Sequence, residues 1–226
     1  MNMFIASREN PFQGPHQKTA VATDGEAPEN ATGAIIMIHG RGATAPSILT
    51  LKHELDTEGF HLAAPQASGN TWYPNSFMAP SERNEPGISS GLQAIFNIVT
   101  DLEEKGIPKE NIIILGFSQG ACLASEFVAR HPARYGGLIA FSGGMIGNGD
   151  SINPDNYEGS LEGTPYFVGC SDNDAHIPVE RVEESAAVMQ KLGADVTKKI
   201  YPAMGHTIIR DEIEEAQKII NAIESR

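Results

Sequence analysis

The run Gly116-Phe117-Ser118-Gln119-Gly120 fits the pattern Gly-x-Ser-x-Gly, in which a strand turns sharply into a helix and presents a serine hydroxyl from a strained backbone. Glycines are needed on both sides because a Cβ at either position would crowd the turn. Ala121, next in line, is small enough to let the helix approach the sheet. A serine hydroxyl needs a base to take its proton, and the base needs a carboxylate to orient it. On such a scaffold these partners follow in the order Ser, Asp, His at the ends of later strands. Two segments supply them. Tyr166-Phe167-Val168 leads into Gly169-Cys170-Ser171-Asp172-Asn173-Asp174, and the stretch ending at Tyr201 leads into Pro202-Ala203-Met204-Gly205-His206. The expected chemistry is acyl transfer through Ser118, with His206 as base and Asp174 as its orienting acid. Asp172 is the second candidate for that acid, or else a brace for the turn.

An oxyanion formed at the attacked carbon needs two preorganised backbone donors. The N–H of Gln119 opens a helix whose dipole favours negative charge, and the turn His39-Gly40-Arg41-Gly42 offers a second donor at Arg41. His39 precedes the serine and is expected to hold that turn by hydrogen bonding. The remaining histidines read as structural: His16 lies in an N-terminal arm, His53 and His61 flank a helix-to-strand connection, and His131 precedes Pro132 at a helix end. Asp172, Asp174 and His176 together make a competing reading as alternating ligands of a divalent ion. No fourth ligand is evident, so neither a metal nor a cofactor is expected. Cys122, one helical turn after Ser118, reads as a small buried side chain, and Cys170 carries no assignment.

These groups must be positioned by something, and the surrounding pattern says what. Ala34 to Ile38, Phe60 to Ala64, Ile112 to Leu115, Gly137 to Phe141 and Tyr166 to Val168 are short runs of the kind expected of parallel strands covered on both faces, and a further strand is read near Val196 to Tyr201. Helical spacing is found over Pro46 to Leu55, Gly91 to Lys105, Gln119 to Arg130, Val179 to Leu192 and Ile208 to Ile223. Strand and helix alternate, which implies an α/β fold: a mostly parallel twisted sheet, right-handed crossovers and helices on both faces. Residues 1–16 read as the N-terminal arm and Gln17 to Thr23 as an edge strand, within one domain spanning 1–226. The segment Gln66 to Ser90 has little period and reads as a long loop, of the kind that tends to be functional. Its Trp72, Tyr73, Phe77 and Met78 offer apolar walls to a substrate over the serine, or else merely pack the loop on the body.

Of 226 residues, 16 are Lys or Arg and 29 are Asp or Glu, for a net charge of −13. So acidic a chain repels phosphate backbones and anionic surfaces, which argues against nucleic acid as a partner. Two cysteines make no disulfide framework, and the opening Met1-Asn2-Met3-Phe4 lacks the basic and apolar regions of a signal peptide, so the cytoplasm is the expected location. No apolar stretch is long enough to span a bilayer.

Taken together, His39-Gly40-Arg41-Gly42, Gly116-Phe117-Ser118-Gln119-Gly120, Asp174-Ala175-His176-Ile177-Pro178 and Gly205-His206 resemble the phospholipase/carboxylesterase group of α/β-hydrolases, which includes the acyl-protein thioesterases. The resemblance runs from about Gly33 onward. It implies an α/β-hydrolase fold with no large cap domain, Ser118, Asp174 and His206 as a triad, a small-molecule ester substrate and a homodimer. An Asp followed three residues later by a β-branched residue and Pro is the group's acid motif, which favours Asp174 over Asp172. Acyl-protein thioesterases usually have an apolar residue in place of Arg41, and Gly69-Asn70-Thr71-Trp72-Tyr73-Pro74 resembles the bacterial esterase-like members. Hydrolysis of small or medium acyl esters is therefore expected ahead of acyl-protein or lysophospholipid hydrolysis. The Arg41 side chain is expected either to attract a substrate carboxylate or to pair with an acidic neighbour. A non-catalytic binding protein on the same scaffold is the reading from another class.

Overall fold

A computed structural model describes residues 6–148 and 152–224. The described residues form one seven-stranded sheet in the order β1-β3-β2-β4-β5-β6-β7. Its strands are β1 (Val21–Gly25), β2 (Gly33–Ile38), β3 (Phe60–Pro65), β4 (Ile112–Phe117), β5 (Gly137–Phe141), β6 (Pro165–Ser171) and β7 (Asp195–Tyr201). Only β1 runs antiparallel, against β3; the other pairings are parallel. The helices are α1 (Ala45–Leu49), α2 (Gly87–Glu104), α3 (Gln119–Arg130), α4 (Val179–Lys191) and α5 (Arg210–Glu224).

Alternation along the buried strands divides the core into two layers. Ala34, Ile36 and Ile38 of β2, with Ile112 and Ile114 of β4, face Leu92 and Ile95 of α2, Leu123 and Phe127 of α3 and Val188 of α4. Their neighbours Ile35, Met37, Ile113 and Leu115 face Ile48 and Leu49 of α1 and Ile219 and Ile220 of α5 on the other side. With both faces covered the strands have no polar side to show, which is why they read as continuous apolar runs. Each such side chain, fully buried, contributes roughly 1.5–3 kcal/mol.

Three boundaries differ from the sequence reading. α1 lasts five residues and tightens into a 3-10 turn over Thr50–His53. The Thr50 hydroxyl donates to the Ser47 carbonyl, 2.7 Å, competing for an acceptor the helix would use. α2 starts at Gly87, inside the segment read as loop, because the Glu85 carboxylate accepts from the Ser89 amide (3.1 Å) and hydroxyl (2.8 Å) and closes its first turn. The edge strand begins at Val21, and the preceding arm is not loose. Its Ser7 and Phe12 amides donate to Gln93 of α2, at 3.3 and 3.0 Å, and its first five residues lie outside those described.

Glu212, in the first turn of α5, is fully buried against β6. One carboxylate oxygen accepts from the Ile209 amide at 3.0 Å; the other has no hydrogen-bond partner among the described residues and occupies the space that a Cβ on Gly169 would need. Burial, only partly offset by the Ile209 amide, pushes its pKa up to about 7. A carboxyl raised in the folded state contributes fully below the ordinary glutamate range and loses that contribution as pH rises through about 7. Glu212→Gln, isosteric with the neutral acid, should therefore leave stability unchanged near pH 4 and raise it by about 3 kcal/mol at pH 8. Denaturant midpoints of both proteins at the two pH values measure this; equal midpoints at pH 8 would refute it.

Candidate active site

The site lies at the carboxyl ends of β2, β4, β6 and β7, and β2 and β4 flank the point where the strand order reverses. At the end of β4 the chain turns through Ser118, whose φ of 55° and ψ of −119° put a side-chain-bearing residue in a region normally left to glycine. Gly116 and Gly120 make the turn sterically possible. A Cβ on Gly116 would stand 2.4 Å from the Gly120 carbonyl, and one on Gly120 would stand 2.1 Å from the Ile38 carbonyl oxygen. The Ser118 amide donates to the Phe141 carbonyl at 2.9 Å, tying the turn to β5.

His206 reaches the serine from the loop between β7 and α5. Its Nε2 is 2.8 Å from Ser118 Oγ and its Nδ1 is 2.7 Å from Asp174 Oδ2. With Nδ1 as the protonated nitrogen, Nε2 is left free to accept from the serine hydroxyl. The Asp174 side chain is buried, and Oδ1 accepts from the His176 and Ile177 amides at 2.8 and 3.1 Å. Burial works to raise its pKa, but the hydrogen bonds from His206 and the two amides outweigh it and hold the carboxyl below its usual range. The imidazole of His206 packs on Phe117 at 5.0 Å and against His176 at 4.8 Å.

Asp172 does the bracing. Its Oδ1 accepts from the Ala203 amide (2.8 Å) while Ser171 Oγ accepts from the Gly205 amide (3.0 Å), so the loop after β6 holds the loop that carries His206. Among the described residues no group of three or more His, Cys, Asp or Glu side chains converges as metal ligands would. Both thiols are buried and stay protonated: burial pushes Cys122 up to about 11, and burial together with the nearby Asp174 pushes Cys170 up to about 12. Cys170 packs directly under the carboxylate, its Sγ 3.8 Å from Asp174 Oδ2.

The turn after β2 lies beside the serine: a Cβ on Gly40 would stand 3.4 Å from Ser118 Cβ. His39 is fully buried, bonding the Gly40 carbonyl through Nδ1 (2.8 Å) and accepting from the Ala67 amide at Nε2 (3.1 Å). The next two amides of the turn are used internally, Gly42 to the Asn70 carbonyl and Ala43 to the Gly40 carbonyl. The Arg41 amide makes no hydrogen bond among the described residues, and Gln119, as the first residue of α3, has no intrahelical acceptor for its own.

Two expectations need correction. Among the described residues the Arg41 side chain meets no carboxylate; its guanidinium donates to the carbonyls of Pro74 and Asn75 at 3.0 and 2.7 Å, clamping the long loop to the turn. Trp72, Tyr73 and Phe77 do not line an open pocket, because they are buried in the body. The Trp72 indole donates to the His39 carbonyl at 2.9 Å, and Phe77 lies under the Arg181 guanidinium at 5.4 Å. Met78 alone of the four is exposed. A loop this thoroughly tied down turns its apolar side chains inward.

Other fixing contacts were not read from the sequence. The Gln119 side chain accepts from the Trp72 amide and donates to the Tyr73 carbonyl, both at 2.9 Å, stapling the long loop to the serine turn. Buried Arg181 donates to the Met145 and Gly147 carbonyls, at 2.9 and 2.8 Å, and buried Glu126 accepts from the Ile146 amide at 3.0 Å, fixing the loop after β5. The signal available was a charged residue on the apolar face of a helix, in α4 and in α3 respectively.

A mostly parallel sheet with helices on both faces and a hydrogen-bonded serine, imidazole and carboxylate at its strand ends defines an α/β-hydrolase fold. A profile of the Phospholipase/Carboxylesterase family matches residues 19–224, and the chain belongs to that family. The crystal structure of a phospholipase/carboxylesterase from Dyadobacter fermentans DSM 18053 is 40% identical, covers 92% of this chain and 99% of its own, and superposes with a TM-score of 0.88. Among curated relatives, "Acyl-protein thioesterase 1" of Gibberella zeae is 28% identical over 61% of this chain and 60% of its own length. "Probable carboxylesterase SOBER1-like" of Arabidopsis thaliana is 25% identical over 80% of this chain and 74% of its own. The chain thus matches only about 60% of the length of the first of these two relatives.

Proposed function

We propose that this chain hydrolyses carboxylic esters of small or medium acyl groups through an acyl-enzyme on Ser118. The observation that carries this is the unbroken line from Asp174 Oδ2 through His206 to Ser118 Oγ, at 2.7 and 2.8 Å. His206 Nε2 takes the hydroxyl proton as Oγ attacks the acyl carbon, and ionised Asp174 stabilises the imidazolium that results. The carbonyl oxygen, now an oxyanion, accepts from the Arg41 and Gln119 amides. His206 then protonates the departing alcohol, and a water deprotonated by the same imidazole releases the acid and regenerates Ser118.

A p-nitrophenyl ester series from acetate to long acyl chains, with Ser118→Ala as control, tests the reading. Turnover that needs Ser118 and favours short chains supports it. Absence of turnover on every chain length by folded protein would overturn it and turn attention to ligand binding. Acyl-protein thioesterases stand among the relatives, so a thioester matched in acyl group belongs in the assay; a kcat/KM far above that of the ester would move the assignment to thioesters.

Because the Arg41 guanidinium is engaged with backbone carbonyls, Arg41→Ala should loosen the loop around Pro74 for every substrate alike. KM is expected to rise a few-fold, on the order of 1 kcal/mol for two lost hydrogen bonds at an exposed site. The rise should be equal for neutral and anionic esters of one acyl length; a selective loss of the anionic ester would return Arg41 to substrate recognition.

A further inference from the structure

We infer that His16, on the N-terminal arm, is a positioning residue for the oxyanion turn, acting through the loop after β3. This rests on the esterase reading above. His16 is more than 100 residues from Ser118, Asp174 and His206 in sequence, yet it is buried and spends both ring nitrogens on that loop. Nδ1 accepts from the Ser68 amide at 3.0 Å, and Nε2 faces the Trp72 carbonyl at 2.9 Å. An amide can only donate and a carbonyl can only accept, so the ring is held as the neutral Nε2–H tautomer. Burial, with a smaller contribution from His39, keeps its pKa down and the ring uncharged.

The segment it grips is a short 3-10 turn, closed by the Asn70 amide on the Ala67 carbonyl (3.0 Å) and the Thr71 amide on the Ser68 carbonyl (3.5 Å). Between Ser68 and Trp72 the backbone passes through Gly69 and Asn70, both left-handed at φ 62° and 59°. The Asn70 carbonyl accepts from the Gly42 amide at 2.7 Å, next to the Arg41 amide that is to meet the oxyanion. Successive amides are captured by two imidazoles, Ala67 by His39 and Ser68 by His16, with the Trp72 ring 5.1 Å from each. The arm is anchored from behind, since the His16 amide donates to Ser90 Oγ at 2.9 Å and Gln17 donates to the Ser90 carbonyl at 2.7 Å. Thus α2 fixes the arm, the arm fixes Ser68 and Trp72, and Asn70 between them fixes Gly42.

Loss of a single oxyanion donor costs about 10²–10³ in kcat, and a displaced one costs part of that. His16→Ala should lower kcat about tenfold on a p-nitrophenyl ester and change KM less than twofold. His16→Asn, whose Oδ1 can accept from the Ser68 amide in place of Nδ1, should recover part of the loss and keeps the test open should the alanine variant fail to fold. Val188→Ala, a core truncation in α4 remote from the loop, serves as a control for lost stability and should keep wild-type kcat. The proposal is overturned if kcat of a folded His16 variant stays within twofold of wild type, or if Val188→Ala loses kcat to the same degree. If wild type shows no Ser118-dependent turnover, the esterase reading falls first and the role of His16 falls with it.

Discussion

Ser118→Ala should eliminate turnover, with kcat lower by roughly 10⁴- to 10⁶-fold, the range seen when the nucleophile of a serine–histidine–aspartate unit is removed. His206→Ala should fall as far, since three groups acting as a unit do not contribute additively. Asp174→Asn should lose about 10⁴-fold, because an amide in place of Oδ2 no longer favours a proton on His206 Nδ1, and it is that proton which leaves Nε2 free to accept. Stability should move the opposite way at the serine. At φ 55° and ψ −119° a Cβ is held in a conformation costing about 1–3 kcal/mol. Ser118→Gly removes that Cβ and should yield an inactive protein at least as stable as wild type. Ester kinetics and denaturant midpoints on the same preparations decide the matter: a Ser118→Ala enzyme retaining a tenth of its activity would sink the mechanism, and a Ser118→Gly protein several kcal/mol less stable would sink the strain argument.

The second large effect is structural. Gly120 lies where α3 meets β2, and an added Cβ would fall 2.1 Å from the Ile38 carbonyl oxygen and 2.6 Å from that of His39. Neither atom has room to yield, because Ile38 is paired with Gly116 of β4 and the His39 carbonyl receives the Trp72 indole. Gly120→Ala should cost about 4 kcal/mol or more, at the upper end of overpacking, and should drag the Gln119 amide from its place. Gly42→Ala is the informative comparison. Its φ of 78° strains an alanine, but the added Cβ meets nothing within 4 Å, so about 1 kcal/mol is expected. Urea midpoints for the pair would show whether contact or conformation dominates; equal losses would mean that α3 can retreat from β2.

What the sequence disclosed follows from the range over which each feature is determined. The serine turn was legible because its cause is local: two glycines, a buried strand before and a helix after. The central strands were legible because burial on both faces leaves a continuous apolar run. The preference for Asp174 over Asp172 was strengthened by family resemblance, since both follow β6 and only the folded chain shows one carboxylate reaching His206 and the other reaching the Ala203 amide. Trp72, Tyr73 and Phe77 misled because an aromatic residue in a long loop has the same composition whether it faces a ligand or the core. The Arg41 clamp had no signal at all, because its acceptors are carbonyls that every residue carries. His16 was hidden for the same reason, its partners being backbone groups some fifty residues away.

The order of the strands also ranks the parts by how firmly they are held. Ser118 and the turn at Gly40 hang from β4 and β2 in the middle of the sheet, whereas His206 follows β7, an edge strand with one neighbour. Opening an edge takes less free energy than opening a centre. A momentary detachment of β7 would therefore withdraw the imidazole and leave the serine in its strained turn with no base. On warming, ester turnover is therefore expected to fall before the fold as a whole unravels, and on cooling to return by re-docking of one strand.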